Sequence, residues 1–465
     1  MTQVEAIAKY ATRASFDDLS AESRRQLPIH ILDSLSCSIA ALGAGPVDAC
    51  REQVAEFGGS GPSALIGGGQ ANPIYAAFWH TVLVRYVDFM DNILAQTETA
   101  HTADNFGVAL TIADYVGGNG RDLMLAVALG YTVQSRFVDH ANFMTRGLDH
   151  TSQLAFSHNA AAGRLLGLSE QQIGHAMAMA AVSDASFAVV RAKPLSQWKG
   201  LASAQSALGA MNALFLARRG VEGPLQVIEG PLGIDHLLGM KINIDWDKEG
   251  YEGVVGSTIK KYNSMIHTQS AVHCMVELAK ANKVDPEKVI SIEAEVFQLA
   301  YDFAGGGLYG VDKVIRTKEQ ADHSLPYLLA VALIDGDVMP AQFNPERIIK
   351  PDVQALLKKV SVQPNHEFTE QYPKKMPAKI TVRLQDGKVV EHEVQEYPGL
   401  ASHPFTWEEA VQKFDTLVAG RIDEGLSGEI KNAVRSVENI QVRDLMKLLG
   451  SIRVASKTTS SSKAA

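Results

Sequence analysis

A chain of 465 residues is longer than one hydrophobic core usually serves and predicts two or three domains. With 46% hydrophobic and 20% charged residues it has the composition of a soluble globular protein, and no run approaches the ~20 consecutive apolar residues of a membrane span. A net charge of -9 with dispersed lysines and arginines excludes the basic stripe that nucleic acid requires, and three scattered cysteines (Cys37, Cys50 and Cys274) exclude a disulfide framework, a zinc cage or an iron–sulfur cluster.

The first sixteen residues carry Glu5 and no compact apolar core, so they do not read as a secretory signal or organelle presequence, and a cytoplasmic location is expected. From residue 1 to about 240 the pattern is helical. Ala/Leu/Met-rich stretches such as Leu123 to Phe137, His158 to Leu166, Glu170 to Ala181 and Leu201 to Ala217 are apolar on most faces, as helices inside a bundle are. Ser169 with Gln172 has capping-box spacing. The glycine-rich Gly58 to Pro62 and Ile66 to Gln70 match neither dinucleotide nor P-loop fingerprints and read as loops.

Tyr86-Val-Asp-Phe-Met-Asp-Asn92 is the first segment with chemistry in it. Asp88 and Asp91 stand three apart, which puts both carboxylates on one face if the helix persists, and crowding would raise one pKa toward neutrality. His101, followed by Asp104 and Asn105, adds an imidazole; His150 in Gly147-Leu-Asp-His is a second, whereas His158 sits in an Ala-rich helix and reads as packed. Lys199, beside Trp198 at a helix start, is placed to clamp a carboxylate. Lys260, Lys261, Tyr262 and His267 fall within eight residues at the expected domain junction, where small-molecule clefts form.

Beyond about residue 265 the period changes. Val289 to Val296 alternates at the strand period, and Ala378 to Leu384 is joined by Gln385-Asp-Gly387 to Lys388 to Val394, a hairpin signal. Asp322-His-Ser-Leu-Pro-Tyr327 precedes an apolar helix. An α/β unit over 266–398 is expected, helices return from Trp407 to Leu449, and 456–465 should be disordered. Neither a GxSxG elbow nor an HExxH motif is present.

Taken in order, Leu32-Asp-Ser-Leu, Val87 to Asn92, His101 to Asn105, Gly147 to His150, Ala161 to Leu168, Trp198-Lys-Gly200, Lys261 to Ala271, His323 to Tyr327 and Lys413-Phe resemble the MmgE/PrpD family over nearly the whole chain. The resemblance implies a mainly α fold: a large all-helical domain (1–265 plus 399–455) capped by a smaller α/β lid (266–398), usually as a homodimer. It implies a site between the two at Asp88, Asn92, His101, Lys199, Lys260 or its neighbour Lys261, His267 and Tyr327; together with the residue reading, Asp88, His101, His267 and Tyr327 are expected to be catalytic and Asp91, Asn92, His150, Lys199 and Lys260 or Lys261 to bind substrate. Three positions depart from the family pattern: Asn92 stands for a threonine, Thr102 for the proline after the histidine, and Asn263 for the proline after Tyr262.

The expectation is a carbon–oxygen lyase using no cofactor or metal. It would dehydrate a small tricarboxylate, 2-methylcitrate first among them as in propionate catabolism, with no nucleic-acid or membrane partner. Elimination needs a base, an acid and cations for the carboxylates. A cis-aconitate decarboxylase or carboxylate epimerase of the same family, and a non-catalytic dimeric binding protein, are the alternatives.

Overall fold

The computed structural model describes residues 1–453, so the expected disordered tail at 456–465 lies outside the described residues. The chain is mainly helical with a small sheet in its C-terminal part. Among the described residues, nine helices of ten or more residues build the first part: α1 (Gln3–Arg13), α2 (Ala21–Ala41), α3 (Gly45–Phe57), α4 (Pro73–Tyr86), α5 (Phe106–Tyr115), α6 (Gly120–His140), α7 (Leu154–Leu165), α8 (Glu170–Ser183) and α9 (Ala202–Ala217). Several start where the sequence supplies an oxygen for orphan amides. Thr2, Asn119 and Ser169 form reciprocal capping boxes with Glu5, Asp122 and Gln172, and Asn72 caps α4 with Pro73 in its first turn. The first glycine-rich stretch leads into a short ladder, β1 (Ser63–Ala64) with β2 (Gln70–Ala71), and the second forms the turn between its strands, where Gly67, Gly68 and Gly69 all adopt positive φ.

Buried apolar side chains separate into two large clusters. One runs from Val4 to Ile259 and resumes from Phe405 to Ile452; the other spans Tyr262 to Leu400. The helices Trp407–Val418 and Glu424–Arg435 pack on α2, so the end of the chain returns to the first cluster. Lys413 is part of that return. Its Nζ lies 2.6 Å from Asp33 Oδ1 and donates to the carbonyls of Phe89 at 2.8 Å and Lys260 at 2.9 Å, joining two strands of chain that border the cleft.

The second cluster surrounds a four-stranded sheet. Besides the short pair β3 (Ile93–Leu94) and β4 (Thr99–Ala100), the strands are β5 (Val289–Val296), β6 (Val360–Pro364), β7 (Ala378–Leu384) and β8 (Val389–Val394), in the order β6-β5-β7-β8. Only β5 and β6 run parallel. Ile292, Ala294 and Val296 of β5, and Ala378, Ile380, Val382 and Leu384 of β7, point into the cluster, as the period of two requires, and Val289 joins them across a register shift at the start of β5. Helices Gln269–Asn282 and Leu325–Asp335 cover that face.

Candidate active site

α4 ends at Tyr86, two residues before Asp88, and this overturns the expectation that Asp88 and Asp91 share a helix face. Asp88 has φ 56°, in the left-handed region, which costs a non-glycine residue of order 1 kcal/mol or more unless its surroundings hold it there. They do so through charge. Arg85 Nη1 and Lys260 Nζ donate to Asp88 Oδ1 at 2.9 and 3.0 Å, Lys199 Nζ donates to Oδ2 at 2.6 Å, and Lys260 also reaches the Asp88 carbonyl at 2.7 Å. Burial pushes the carboxyl upward, but Arg85, Lys199 and Lys260 together hold it well below the usual carboxylate range, the reverse of the rise expected from two crowded carboxylates. Burial lowers Lys260 to about 8, with Asp88 opposing.

Asp91 points the other way, into the helical core. It meets His30 Nδ1 at 2.6 Å and accepts from Tyr131 Oη at 2.8 Å on one oxygen, and from Thr102 Oγ1 and the Ala103 amide, both at 2.8 Å, on the other. With both oxygens engaged and none of the side chain exposed, it anchors the turn after His101 from behind and does not line the cleft. Asn92 ties the same turn to the Lys260 strand through mutual backbone bonds with Thr258 at 2.9 and 2.7 Å.

His101 is gripped at both nitrogens. Arg85 Nη2 lies 3.2 Å from Nε2, and the Asn92 amide lies 2.6 Å from Nδ1. Arginine only donates, so Nε2 must accept and Nδ1 must carry the proton. The group facing Nδ1 is then the Asn92 oxygen, which also gives a partner to an amide oxygen that is otherwise buried without one. Burial first, and Arg85 second, hold the imidazole well below its ordinary pKa, hence neutral. His150 stacks edge-on to it at 4.9 Å, is lowered by burial to about 3, and its Nε2 is buried without a partner. Beside it, Arg191 forms a bidentate pair with Asp149 at 2.9 and 2.8 Å and donates to the Lys199 carbonyl at 3.0 Å.

These groups line a cleft of ≈ 360 Å³ whose opposite wall is Met265, Ile266, His267, Leu299, Phe303, Leu308, Tyr309 and His323. His267 Nε2 meets Thr99 Oγ1 at 3.3 Å and Tyr372 Oη at 3.2 Å, its Nδ1 is unpartnered, and burial lowers it to about 3. His323 Nδ1 lies 2.5 Å from Asp322 Oδ1 and 3.5 Å from Lys199 Nζ.

The cleft thus gathers Asp88, His101, His150, Lys199, Lys260 and His267 from the residues expected on sequence, with Asn92 directly behind His101. Of the two adjacent lysines it is Lys260 that faces inward; Lys261 is half-buried outside, its Nζ 5.7 Å from the Tyr262 ring centre. Tyr327 is not at the cleft. It is wholly buried in the sheet-bearing cluster, and its hydroxyl donates to the Gln342 carbonyl. Sequence reasoning missed Arg85, Glu98, Arg191 and His323 as wall or supporting groups. Arg85 had a local signal, an arginine in an apolar helix three residues before an aspartate; Arg191 pairs across forty-two positions and had none.

Ligand atoms of Asp88, Asp322 and His323 come within 4.8 Å of one another, yet Lys199 already occupies their midst, and a dication there would sit against an ammonium. The site is therefore built for anions. Cations and neutral imidazoles around one ionised carboxylate suit proton movement on a small polyanion.

A frame of this kind has known relatives. The family models described as the MmgE/PrpD N-terminal domain and the MmgE/PrpD C-terminal domain match residues 5–246 and 262–439, and the chain belongs to the MmgE/PrpD family. Among individual proteins it is similar to the 2-methylcitrate dehydratase of Cupriavidus necator, 25% identical over 398 residues that cover 79% of this chain and 80% of that one. The 2-methylcitrate dehydratase of Escherichia coli (strain K12) is 24% identical over 400 residues, with 79% and 80% covered. An alkylcitrate dehydratase of a fungal species (strain ATCC 74256) is 24% identical over 495 residues, 96% of this chain and 93% of the relative.

Proposed function

We propose that this protein eliminates water from a citrate-type tricarboxylate, with 2-methylcitrate the leading substrate and 2-methylaconitate the product. The observation that carries the reading is Asp88, ionised and held by Arg85, Lys199 and Lys260 beside the neutral imidazole of His101. Removing a proton beside a carboxylate needs a base, and the enolate-like charge that develops needs fixed cations. In the free protein the lysines are engaged by Asp88. Substrate carboxylates compete for them, and an Asp88 oxygen released by Lys199 gains basicity at the moment the substrate is in place. Asp88 and His101 are the proton-handling groups of this reading, Lys199 and Lys260 the carboxylate clamps. Met265, Ile266, Leu299 and Phe303 offer an apolar surface for the alkyl substituent.

The reading takes residues 266–398 as a lid over a helical domain of 1–265 plus 399–455, in a cytoplasmic homodimer that needs no cofactor. No single helix among the described residues is long and apolar enough to cross a membrane. The test is turnover against citrate, 2-methylcitrate and cis-aconitate, followed by absorbance of the unsaturated product and by carbon dioxide release. Dehydration of 2-methylcitrate supports the reading. Carbon dioxide from cis-aconitate without dehydration moves the assignment to decarboxylation, and inertness toward all three ends it.

A further inference from the structure

We propose that Glu98 is the acid that protonates the departing hydroxyl, an inference that rests on the dehydration reading above. Glu98 closes the tight turn between β3 and β4, where its carbonyl accepts from the Ala95 amide at 2.9 Å, and its side chain lines the same cleft as Asp88. It is 2% exposed. One carboxyl oxygen, Oε2, accepts from the Met144 amide at 3.1 Å; the other, Oε1, is buried without a well-formed hydrogen bond.

An unpartnered carboxyl oxygen inside a protein is expensive when charged and cheap when it carries a proton with a ligand atom to give it to. The neighbouring carboxylates differ in this respect. Asp88 is ringed by three cations, Asp149 holds Arg191 in a fork, and Asp322 is paired with Lys318 at 3.0 Å and with His323, whereas Glu98 forms no ion pair among the described residues. Burial pushes the Glu98 carboxyl up to about 8, against the pull of the Met144 and Phe143 amides and reinforced by the charge of Asp149. Two carboxyls on one cleft are thereby driven in opposite directions, one ionised and one neutral, which is the arrangement that separates base from acid.

The step balances as follows. The base takes a proton from the carbon beside a carboxylate, and that bonding pair becomes the new carbon–carbon double bond. The Glu98 O–H bond breaks, its proton joins the hydroxyl oxygen, and the carbon–oxygen bond breaks with its pair on oxygen, releasing water. Glu98 is left as carboxylate and the base protonated, and proton exchange with solvent resets both.

Glu98→Gln keeps an acceptor for the Met144 amide and is expected to melt like the parent. Its turnover of 2-methylcitrate should fall about 100-fold or more, the usual contribution of a general acid, with apparent KM changed by less than about 3-fold. Infrared difference spectra of parent minus variant at pH 7 should show the carbonyl stretch of a protonated carboxylic acid. A variant as active as the parent, or spectra without that band, overturns the assignment while leaving dehydration by the parent intact. A parent inert toward every citrate overturns the dehydration reading itself, and with it this role, even where the band is present.

Discussion

The wall of the cleft drawn from residues 88–199 is charged and hydrogen-bonded; the wall drawn from 265–323 is mostly apolar, with His267 and His323 its only titratable groups besides the Tyr309 phenol. On the first, Lys199 is bonded to both Asp88 and Arg191, and Arg85 behind them holds Asp88 and His101 together. On the second, Met265, Ile266, Leu299 and Phe303 give shape without fixed polarity. The difference separates tasks: a change on the charged wall should alter proton transfer or salt-dependent binding of the polyanion, and a change on the apolar wall should alter affinity without touching turnover or salt dependence.

The hardest test of that division is Asp88→Asn. Turnover should fall about 100-fold or more, because the base is lost. The fold should suffer as well, by about 3–5 kcal/mol, since Arg85, Lys199 and Lys260 would be left buried around an uncompensated site. Kinetics and denaturant melts check the two parts. An Asp88→Asn protein as stable as its parent would mean that the cations are not held by this carboxylate.

Next in size is a contrast between walls. Lys199→Met removes a charge-assisted bond of about 1.5–3 kcal/mol and should weaken binding of a tricarboxylate by roughly tenfold to a hundredfold, with the remaining affinity less sensitive to salt. Phe303→Ala should raise apparent KM for an alkyl-bearing citrate while leaving kcat and the salt dependence unchanged. Steady-state kinetics at two salt concentrations would dissolve the division if the two variants behaved alike.

How far this layout is readable before the fold is known depends on range. The helices, the capping box at Ser169 and the hairpin around Asp386-Gly387 follow from residues within a few positions of one another, and the structure has them where periodicity placed them. Lys199 and His267 were recognisable by type and position. Asp91 was misplaced because α4 stops at Tyr86 and the chain turns through a positive φ at Asp88, sending the two carboxylates apart; periodicity carries no sign of that turn. Glu98 and Arg191 owe their roles to burial and to partners far along the chain, which no local pattern encodes.

A smaller effect should be indifferent to the division. His150 on the charged wall and His267 on the apolar one are both buried and neutral, each lowered by burial to about 3 from an ordinary value near 6.5. Between those limits the unfolded chain binds the proton and the folded chain does not, so stability present above pH 6.5 is lost as pH falls. Each costs about 1.4 kcal/mol per pH unit, or about 2 kcal/mol by pH 5. His267→Gln should shrink the loss measured between pH 7 and pH 5 by that amount, and an unchanged slope would show that His267 is protonated in the folded state.

The smallest expected effect concerns a residue that belongs to neither wall. Tyr327 has the residue type and sequence neighbourhood of a site group, four positions after His323, yet its ring lies wholly within the sheet-bearing core against Phe343, with centroids 6.1 Å apart. Its hydroxyl is committed to the Gln342 carbonyl and faces no cleft atom, so burial raises its pKa without any substrate to receive the proton. Tyr327→Phe keeps the ring and removes only that bond, leaving one carbonyl short of a donor, at a cost of about 1 kcal/mol. Turnover and apparent KM should match the parent while the melting midpoint falls slightly. A variant that melts like the parent but loses turnover would place the phenol in the chemistry after all, by a movement that brings the helix Leu325–Asp335 to the cleft, and the charged wall could then no longer be treated as sufficient for the reaction.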